Sequence, residues 1–229
     1  MDLVYICRSG KNEELRYSIR SAVANLSFDN LWVIGGKPNW YIGNHIYIDQ
    51  TRNKYTNARN NLKALVESEQ VSDKFILMND DFYIINKVDE IPYMYAGTLS
   101  DKIQNREDLF SGNSYNKLLK TTLRTISKKI SGPALDYELH VPMVMEKNKL
   151  ANALKFLGLW RSTYGNLFNV GGIKMTDVKV YDESSVFYPN SYKLENLKYD
   201  YLSSNDDSFE MIKETILDDL FPNKTDYEA

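Results

Sequence analysis

Short apolar segments alternate with amphipathic segments along the first third of the chain. The apolar segments are bounded by glycine or polar residues, a pattern typical of buried strands. The segments between them repeat apolar side chains at helical spacing. The predicted strands are residues 3–7, 31–34, 45–48 and 74–78, and the predicted helices are residues 13–26 and 58–68. This order predicts an α/β fold whose mainly parallel sheet is covered by helices.

The second half of the chain is less regular and mainly helical. Residues 99–132 are polar, carry more Lys and Arg than acids, and form a predicted helical insertion. Residues 209–220 form a late predicted helix, and the polar residues 222–229 are expected to fray. No repeat or linker is visible, so the prediction is a single domain over residues 1–229.

Composition narrows the classes of function. Hydrophobic residues make up 43% of the 229 positions and charged residues 26%, which is ordinary for a soluble globular protein. A net charge of -3 argues against a generally basic nucleic-acid coat. The single cysteine, Cys7, excludes an internal disulfide framework and a cysteine-based zinc cluster. Neither a signal peptide nor an apolar run long enough for a transmembrane segment is visible, which predicts a cytoplasmic protein.

Two adjacent carboxylates follow the predicted fourth strand. Ligands of parallel sheets bind beyond the carboxyl ends of the strands, where Asn79, Asp80 and Asp81 meet the residues that follow the first strand. Carboxylates there can hold Mg²⁺ or Mn²⁺ against a diphosphate, because hard cations prefer oxygen ligands. Asn and Asp are also common in turns, so an ordinary surface turn is the alternative. Our hypothesis is a metal site at Asp80 and Asp81.

Basic residues near the same edge could bind the phosphates of a ligand. Arg8 and Gly10 follow the first strand, and Arg16 and Arg20 are four residues apart on one side of the first helix. Arginine makes charge-assisted, often bidentate contacts with phosphate oxygens. With Asn79, these four residues are the predicted contacts of a nucleotide, and a solvated helix flank is the alternative for Arg16 and Arg20.

Only two histidines are present, and one of them suits proton transfer. His140 lies in an extended segment ahead of Pro142 and could take a proton from an acceptor hydroxyl. A structural histidine is the alternative, in which case Glu138 or Asp136 would be the base. His45, on a short predicted strand, is assigned to structure.

Seven segments of the chain resemble those of one family, in the family's order. They are residues 14–21 (ELRYSIRS), 31–40 (LWVIGGKPNW), 57–62 (NARNNL), 75–82 (FILMNDDF), 140–142 (HVP), 161–166 (RSTYGN) and 204–207 (SNDD). Together they resemble the Stealth proteins, sugar-phosphate transferases built on a GT-A-like nucleotide-sugar fold. The resemblance runs from about residue 2 to residue 210. It departs from the family at residues 6–10 (ICRSG), where a Trp-Val-Asp/Asn-Gly pattern is usual.

The resemblance implies a GT-A-like, Rossmann-like fold and a nucleotide-sugar donor, with a UDP-sugar favoured. It implies that Arg161 joins His140 and Asp81 as a catalytic residue. It also implies that the late acid Asp206 closes onto the metal site, although Asp206 or Asp207 could instead cap the helix that follows. The implied cofactor is Mn²⁺ or Mg²⁺.

Three hypotheses for function follow from the sequence. The first is a metal-dependent glycosyltransferase that moves a sugar from a nucleotide-sugar to a hydroxyl acceptor. The second is Stealth-type transfer of a hexose-1-phosphate to a glycan or polymer. The third is a non-catalytic module that binds nucleotide-sugars. The basic residues within 99–132 are either a solvated face or a wall that attracts a polyanionic acceptor, such as a teichoic polymer or modified DNA.

Overall fold

The computed structural model describes residues 1–110, 113–181 and 199–229. Their contacts separate two compact units. The first consists of the described parts of Met1–Ile91, His140–Met145 and Val178–Ala229, and the second of Pro92–Leu139 and Glu146–Asp177. The predicted helical insertion, residues 99–132, lies within the second unit, apart from residues 111 and 112, which are outside the described residues.

The described helices and strands follow one another along both units. In chain order they are β1 (Asp2–Cys7), α1 (Glu13–Asn25), β2 (Leu31–Gly35), β3 (Asn44–Tyr47), α2 (Lys54–Glu67), β4 (Lys74–Asn79), β5 (Phe82–Ile84), β6 (Met94–Tyr95), α3 (Leu99–Phe110), α4 (Ser114–Ile126), β7 (Met143–Glu146), α5 (Lys147–Ala153), α6 (Trp160–Leu167), β8 (Ile173–Lys174), β9 (Tyr201–Ser203), α7 (Phe209–Ile212) and α8 (Asp218–Leu220). A π-helical turn, Lys213–Leu217, joins α7 to α8. No helix within the described ranges combines the length and the apolar character needed to cross a bilayer.

A five-stranded sheet forms the centre of the first unit, in the order β3-β2-β1-β4-β7. β1 is parallel to both of its neighbours, and β2 is parallel to β3. Every residue of β1 is buried, as the continuous apolar run predicts. α1 packs against β5, and α2 packs against β1 and β2. The predicted α/β class with a mainly parallel sheet and flanking helices is confirmed.

The starts of α1 and α2 are set by asparagine side chains. Asn12 accepts a hydrogen bond from Leu15 N at 3.1 Å and begins α1 where the sequence predicts it. Asn53 accepts from Tyr55 N and Thr56 N, so α2 begins at Lys54, four residues before the predicted start. The first turn of α2 is mainly polar, so apolar spacing does not indicate where this helix begins.

The second unit has its own small core. The continuous helical stretch predicted for residues 99–132 is two helices, because Asn113 caps a new helix by accepting from Tyr115 N. Apolar side chains of α3, α4 and the segments that follow form this core: Leu99, Leu119, Ile126, Ala134 and Leu159. Helix α6 was not predicted, because its eight residues are too few to establish a periodic pattern.

The C-terminal segment differs from the frayed tail that the sequence suggests. Ala229 N donates to Trp40 O at 2.8 Å, and Ile42 N donates to Tyr227 O at 3.0 Å. The rings of Tyr227 and Tyr41 are stacked. Backbone hydrogen bonds and aromatic packing therefore tie a polar segment to the β2–β3 connection.

Candidate functional site

Two carboxylates lie in the tight turn between β4 and β5. Asp80 and Asp81 are both partly buried. Asn12 Nδ2 donates to Asp80 Oδ2 at 2.7 Å, and Lys179 Nζ lies 2.8 Å from Asp81 Oδ2. The backbone of Asn12 has a positive φ of 45°, and its side-chain oxygen caps α1 by accepting from Leu15 N. The start of α1 therefore holds Asp80, and a residue nearly a hundred positions away holds Asp81.

The late acidic segment reaches the same turn. Strand β9 pairs antiparallel with β5, with Phe82 opposite Ser203. The next residue, Ser204, donates its backbone N–H to Asp81 O at 3.3 Å. Asp206 forms an exposed ion pair with Arg8 at 3.0 Å. The pairing of β5 with β9 thus brings two acidic segments together that are far apart in sequence.

The structure does not show the helix-capping alternative for the late acids. The residue at the N-terminal cap of α7 is Ser208, and its side chain makes no capping hydrogen bond. Asn205 Oδ1 accepts from Ser208 N, and Asp207 accepts from Asn205 Nδ2. Asp206 instead faces Arg8, so its carboxylate is bound at the sheet edge and not at the helix.

A fourth acid, Glu14, is buried close enough to these carboxylates to interact with their charges. Ser204 Oγ donates to Glu14 Oε1 at 3.0 Å, and Tyr83 Oη lies 2.8 Å from Ser204 Oγ. Burial, together with the negative charges of Asp80 and Asp81, raises the pKa of Glu14 to about 7. Glu14 was not predicted as a site residue, and the signal in the sequence is its position in the first turn of a helix with an apolar face.

These four acids form one electrostatic group, which we call the acidic cluster: Glu14, Asp80, Asp81 and Asp206. Burial, and then repulsion from Asp81, raises the pKa of Asp80 to about 6, although Asn12 and Arg8 act in the opposite direction. The ionised forms of Glu14 and Asp80 are therefore disfavoured, first by burial and then by the negative charge of neighbouring carboxylates. The cluster therefore favours the arrival of a cation.

The donor chemistry of the acidic cluster fits a divalent cation. Within residues 1–110, 113–181 and 199–229, no group of three or more His, Cys, Asp and Glu side chains is arranged to hold a metal ion. Mg²⁺, however, is usually bound by one or two carboxylates together with phosphate oxygens of a substrate. Asp80 and Asp81 supply two such carboxylates at a sheet edge. They fit a cation that takes its remaining ligands from a diphosphate.

Three further predicted residues lie at this edge. Asn79 ends β4 opposite Ile6 of β1, and Arg8 and Gly10 follow β1. Gly10 has a φ of 139°, in the region that favours glycine, and a Cβ there would meet open space. Arg8 is exposed, and its guanidinium is bound on one side by Asp206. The parallel pairing of β1 with β4 therefore brings Arg8, Gly10 and Asn79 to the edge that carries Asp80.

Arg16 and Arg20 have a different partner from the predicted phosphate. Arg20 binds both carboxylate oxygens of Glu228 at 2.8 Å, and Arg16 Nη1 binds one of them at 2.6 Å. Arg16 also lies over the Trp40 ring at 4.3 Å. We call Arg16, Arg20 and Glu228 the arginine clamp. Although burial opposes ionisation, the hydrogen bonds from Arg20 and Arg16 lower the pKa of Glu228 to about 2.

His140 lies in the first unit, close to the acidic turn. It is partly buried just ahead of β7, and its ring meets the ring of Phe82 edge-on, with 5.9 Å between centroids. Phe82 directly follows Asp81 in sequence. His140 is therefore placed beside the residue next to a predicted metal ligand.

The remaining predicted residues belong to the second unit. Arg161 is buried in α6, with 4% of its surface exposed. Asp136 pairs with Lys102 at 2.8 Å, and Glu138 Oε1 accepts from Ser162 N at 2.8 Å. Burial raises the pKa of Glu138. Both alternative bases are thus already engaged by neighbouring groups.

Comparison with known proteins supports the fold. No protein-family model matches the chain, and no curated protein matches its sequence. Among solved structures, the bifunctional glycosyltransferase WbbM is 11% identical with a TM-score of 0.50, and the match covers 85% of this chain and 42% of that one. The galactosyltransferase LgtC is 12% identical with a TM-score of 0.42, over 76% of this chain and 72% of that one. Mouse xyloside xylosyltransferase 1 is 9% identical with a TM-score of 0.33, over 82% and 93%.

At 11% identity, the likeness to WbbM shows the fold alone. The predicted GT-A-like architecture is confirmed at that level. The Stealth resemblance stays a prediction, because none of these comparisons reports a Stealth protein.

Proposed function

We propose that the protein is a glycosyltransferase that moves a sugar from a nucleotide-sugar, with a UDP-sugar favoured, to a hydroxyl acceptor with the help of Mn²⁺ or Mg²⁺. The observation that carries the proposal is the acidic cluster at the carboxyl edge of the parallel sheet, in which the pKa values of Glu14 and Asp80 are raised. Parallel sheets bind ligands at this edge. WbbM, which shares the fold, is described as a glycosyltransferase, and this supports the class of reaction.

Each residue of the edge has a role in holding the donor. Asp80 and Asp81 would bind the cation, which when bound supplies positive charge to the departing diphosphate. Asn12 fixes the orientation of the Asp80 carboxylate through its 2.7 Å hydrogen bond. Arg8 offers its exposed guanidinium to a phosphate oxygen beside the loop that contains Gly10.

His140 is the proposed base for the acceptor hydroxyl. Its ring contacts Phe82 beside the acidic turn of the first unit, whereas Asp136 and Glu138 belong to the second unit. A positioned base contributes about 10²- to 10⁴-fold to rate. We expect His140→Ala to reduce the rate of transfer by that factor. Its affinity for the donor, measured by calorimetry, should be the same as that of wild type. Normal turnover with a lower melting temperature in both His140→Ala and His140→Gln would assign the histidine to structure.

The acceptor proposed is a glycan or polymer hydroxyl. Helix α4 exposes Lys117, Lys120 and Arg124 at helical spacing, which suits attraction of a polyanionic acceptor in the second unit. Modified DNA, the other acceptor considered from sequence, finds no support in the comparisons. The proposal that Arg161 contributes to catalysis rests on the family resemblance alone.

Thermal shift tests whether the protein binds a donor. UDP-, GDP- and CMP-sugars are added with and without Mn²⁺, and a donor that binds the folded state raises the melting temperature by mass action. We expect one nucleotide class to shift the melting temperature only when Mn²⁺ is present. No shift with any donor would contradict the proposal.

The nucleotide released distinguishes the proposed reaction from its alternative. Glycosyl transfer from a UDP-sugar breaks the bond between the anomeric carbon and the phosphate oxygen, so UDP leaves. Stealth-type transfer breaks the bond between the two phosphates, so UMP leaves with the hexose-1-phosphate retained on the acceptor. Chromatography of the products therefore decides between the two, and binding without turnover would indicate a non-catalytic module.

A further inference from the structure

A lysine occupies one carboxylate of the acidic cluster. Lys179 Nζ lies 2.8 Å from Asp81 Oδ2, and the two side chains are only 13% and 16% exposed. The acids of this group other than Asp81 have different partners: Asn12 on Asp80, Ser204 on Glu14 and Arg8 on Asp206. Asp81 is thus the acid of the cluster whose described partner is a largely buried ammonium.

The backbone on both sides fixes this contact. Lys179 forms a parallel bridge with Ser203. Val180 N donates to Ser203 O at 2.8 Å, and Ser203 N donates to Val178 O at 3.2 Å. The next residue, Ser204, binds the carbonyl of Asp81 itself. The lysine and the aspartate are therefore carried by segments that are hydrogen-bonded to the same strand, β9.

We propose that Lys179 is an internal counter-ion that occupies Asp81 until a divalent cation binds, and that it thereby sets the affinity of the site for the metal. The inference rests on the metal-binding part of the proposed function. A cation bound to the same carboxylate oxygen at about 2.0–2.6 Å would lie no more than about 5.4 Å from the ammonium, which is 2.8 Å from that oxygen. Like charges at that distance repel, so the lysine has to leave Asp81.

This arrangement couples the metal to the donor. A metal ion that binds alone has to break the ion pair of Lys179 with Asp81 and gains two carboxylates. A diphosphate that arrives with the metal adds oxygen ligands and further negative charge, which offset the lost ion pair. We therefore expect Mn²⁺ to bind weakly by itself and more tightly when a nucleotide diphosphate is present.

Manganese binding without nucleotide tests the proposal directly. The free Mn²⁺ signal in electron paramagnetic resonance is measured for wild type, Lys179→Met and Lys179→Arg. We expect Lys179→Met to bind Mn²⁺ about tenfold or more tightly, because the competing charge is gone, and Lys179→Arg to stay near wild type. Lys174→Met, at an exposed position of β8, is the matched control and should change affinity less than about twofold.

The contrary results are equally definite. Unchanged or weaker Mn²⁺ binding in a folded Lys179→Met, or no binding in any variant, overturns the proposal. Lys179→Gln, which keeps a polar group without the charge, replaces the methionine variant if circular dichroism shows that the latter is unfolded. This assay contains no donor, so its result is independent of nucleotide-sugar binding. If Lys179→Met binds Mn²⁺ more tightly but the protein binds no nucleotide-sugar, the counter-ion inference holds and the proposed transferase function is rejected.

Discussion

Helix α1 contributes residues to two groups of charges, one in which acids predominate and one in which cations predominate. At its start, Glu14 joins the acidic cluster, where burial and neighbouring carboxylates raise its pKa to about 7. Further along the helix, Arg16 and Arg20 form the arginine clamp, where two guanidinium groups enclose Glu228 and lower its pKa to about 2. In the first group acids outnumber the cations that contact them. In the second, two guanidinium groups enclose the carboxylate of Glu228, and Arg16 also pairs with Glu13 at 2.9 Å.

This difference in charge balance indicates that the acidic cluster suits a ligand and that the arginine clamp stabilises the fold. A carboxylate that is paired and hydrogen-bonded by two arginines has little to gain from a further cation. Carboxylates whose pKa values are raised by burial and by neighbouring acids, as those of Glu14 and Asp80 are, gain from a cation that reaches them. The four predictions below test this distinction, from the largest expected effect to the smallest.

Removing one charge from the acidic cluster should abolish most of the proposed activity. We expect Asp81→Asn to lower Mn²⁺-dependent hydrolysis of the donor about 10²- to 10³-fold, because the cation loses a charged ligand and the diphosphate loses its electrostatic support. Asp207→Asn is the control, since Asp207 is exposed and contacts Asn205. Full activity in Asp81→Asn, measured by release of nucleotide, would remove Asp81 from the site.

Removing the carboxylate of the arginine clamp should instead destabilise the fold. Glu228→Ala leaves Arg16 and Arg20 without their shared partner, and we expect a loss of about 2 to 3 kcal/mol in the free energy of unfolding. Glu210→Ala is the matched control, because the ion pair of Glu210 with Lys213 is exposed and worth little. Urea unfolding measures both. Equal stability of the two variants would mean that the clamp contributes nothing.

The two groups predict opposite slopes of stability against pH. The pKa of Glu14 rises from 4.5 to about 7 on folding, so the folded protein keeps a proton that the unfolded chain releases, and stability falls as pH rises through that range. The pKa of Glu228 falls from 4.5 to about 2, so its stabilisation is present above pH 4.5 and is lost as pH falls towards 2.

Glu14→Gln tests the dependence of stability on pH near neutrality. The variant should lose less stability than wild type between pH 5 and pH 8, with a difference on the order of 1 to 2 kcal/mol. Urea unfolding at several pH values provides the measurement. If the stability of the variant changes with pH in parallel with that of wild type across this range, the pKa of Glu14 is not raised in the folded protein.

The smallest effect is expected at the rim of the acidic cluster. Asp206 and Arg8 are both exposed, so Asp206→Ala should change the free energy of unfolding by less than about 0.5 kcal/mol. If Asp206 belongs to the site, the affinity for Mn²⁺ with nucleotide should fall a few-fold in the same variant. Loss of stability with unchanged metal affinity would favour a structural role.

Much of the first unit follows from local sequence pattern. The apolar runs predicted β1, β2, β3 and β4, and apolar spacing predicted α1, because burial of one face is what gives each of these elements its periodicity. The same reasoning placed Asp80 and Asp81 at the carboxyl end of β4, since the end of an apolar run is visible in the sequence. Helix α6 and the short strands β5 and β9 carry too few residues to show a period.

Partners across long sequence separations were decided by tertiary structure alone. The sequence by itself determined that Asp81 follows a buried strand and that Arg16 and Arg20 share a helix face. It could not show that Lys179 pairs with Asp81, 98 residues away. Nor could it show that Glu228 binds both arginines, each more than 200 residues away. An ion pair requires only that two groups meet in space, and it leaves no periodic trace along the chain. The folded structure therefore determines which charges are balanced and which remain in excess.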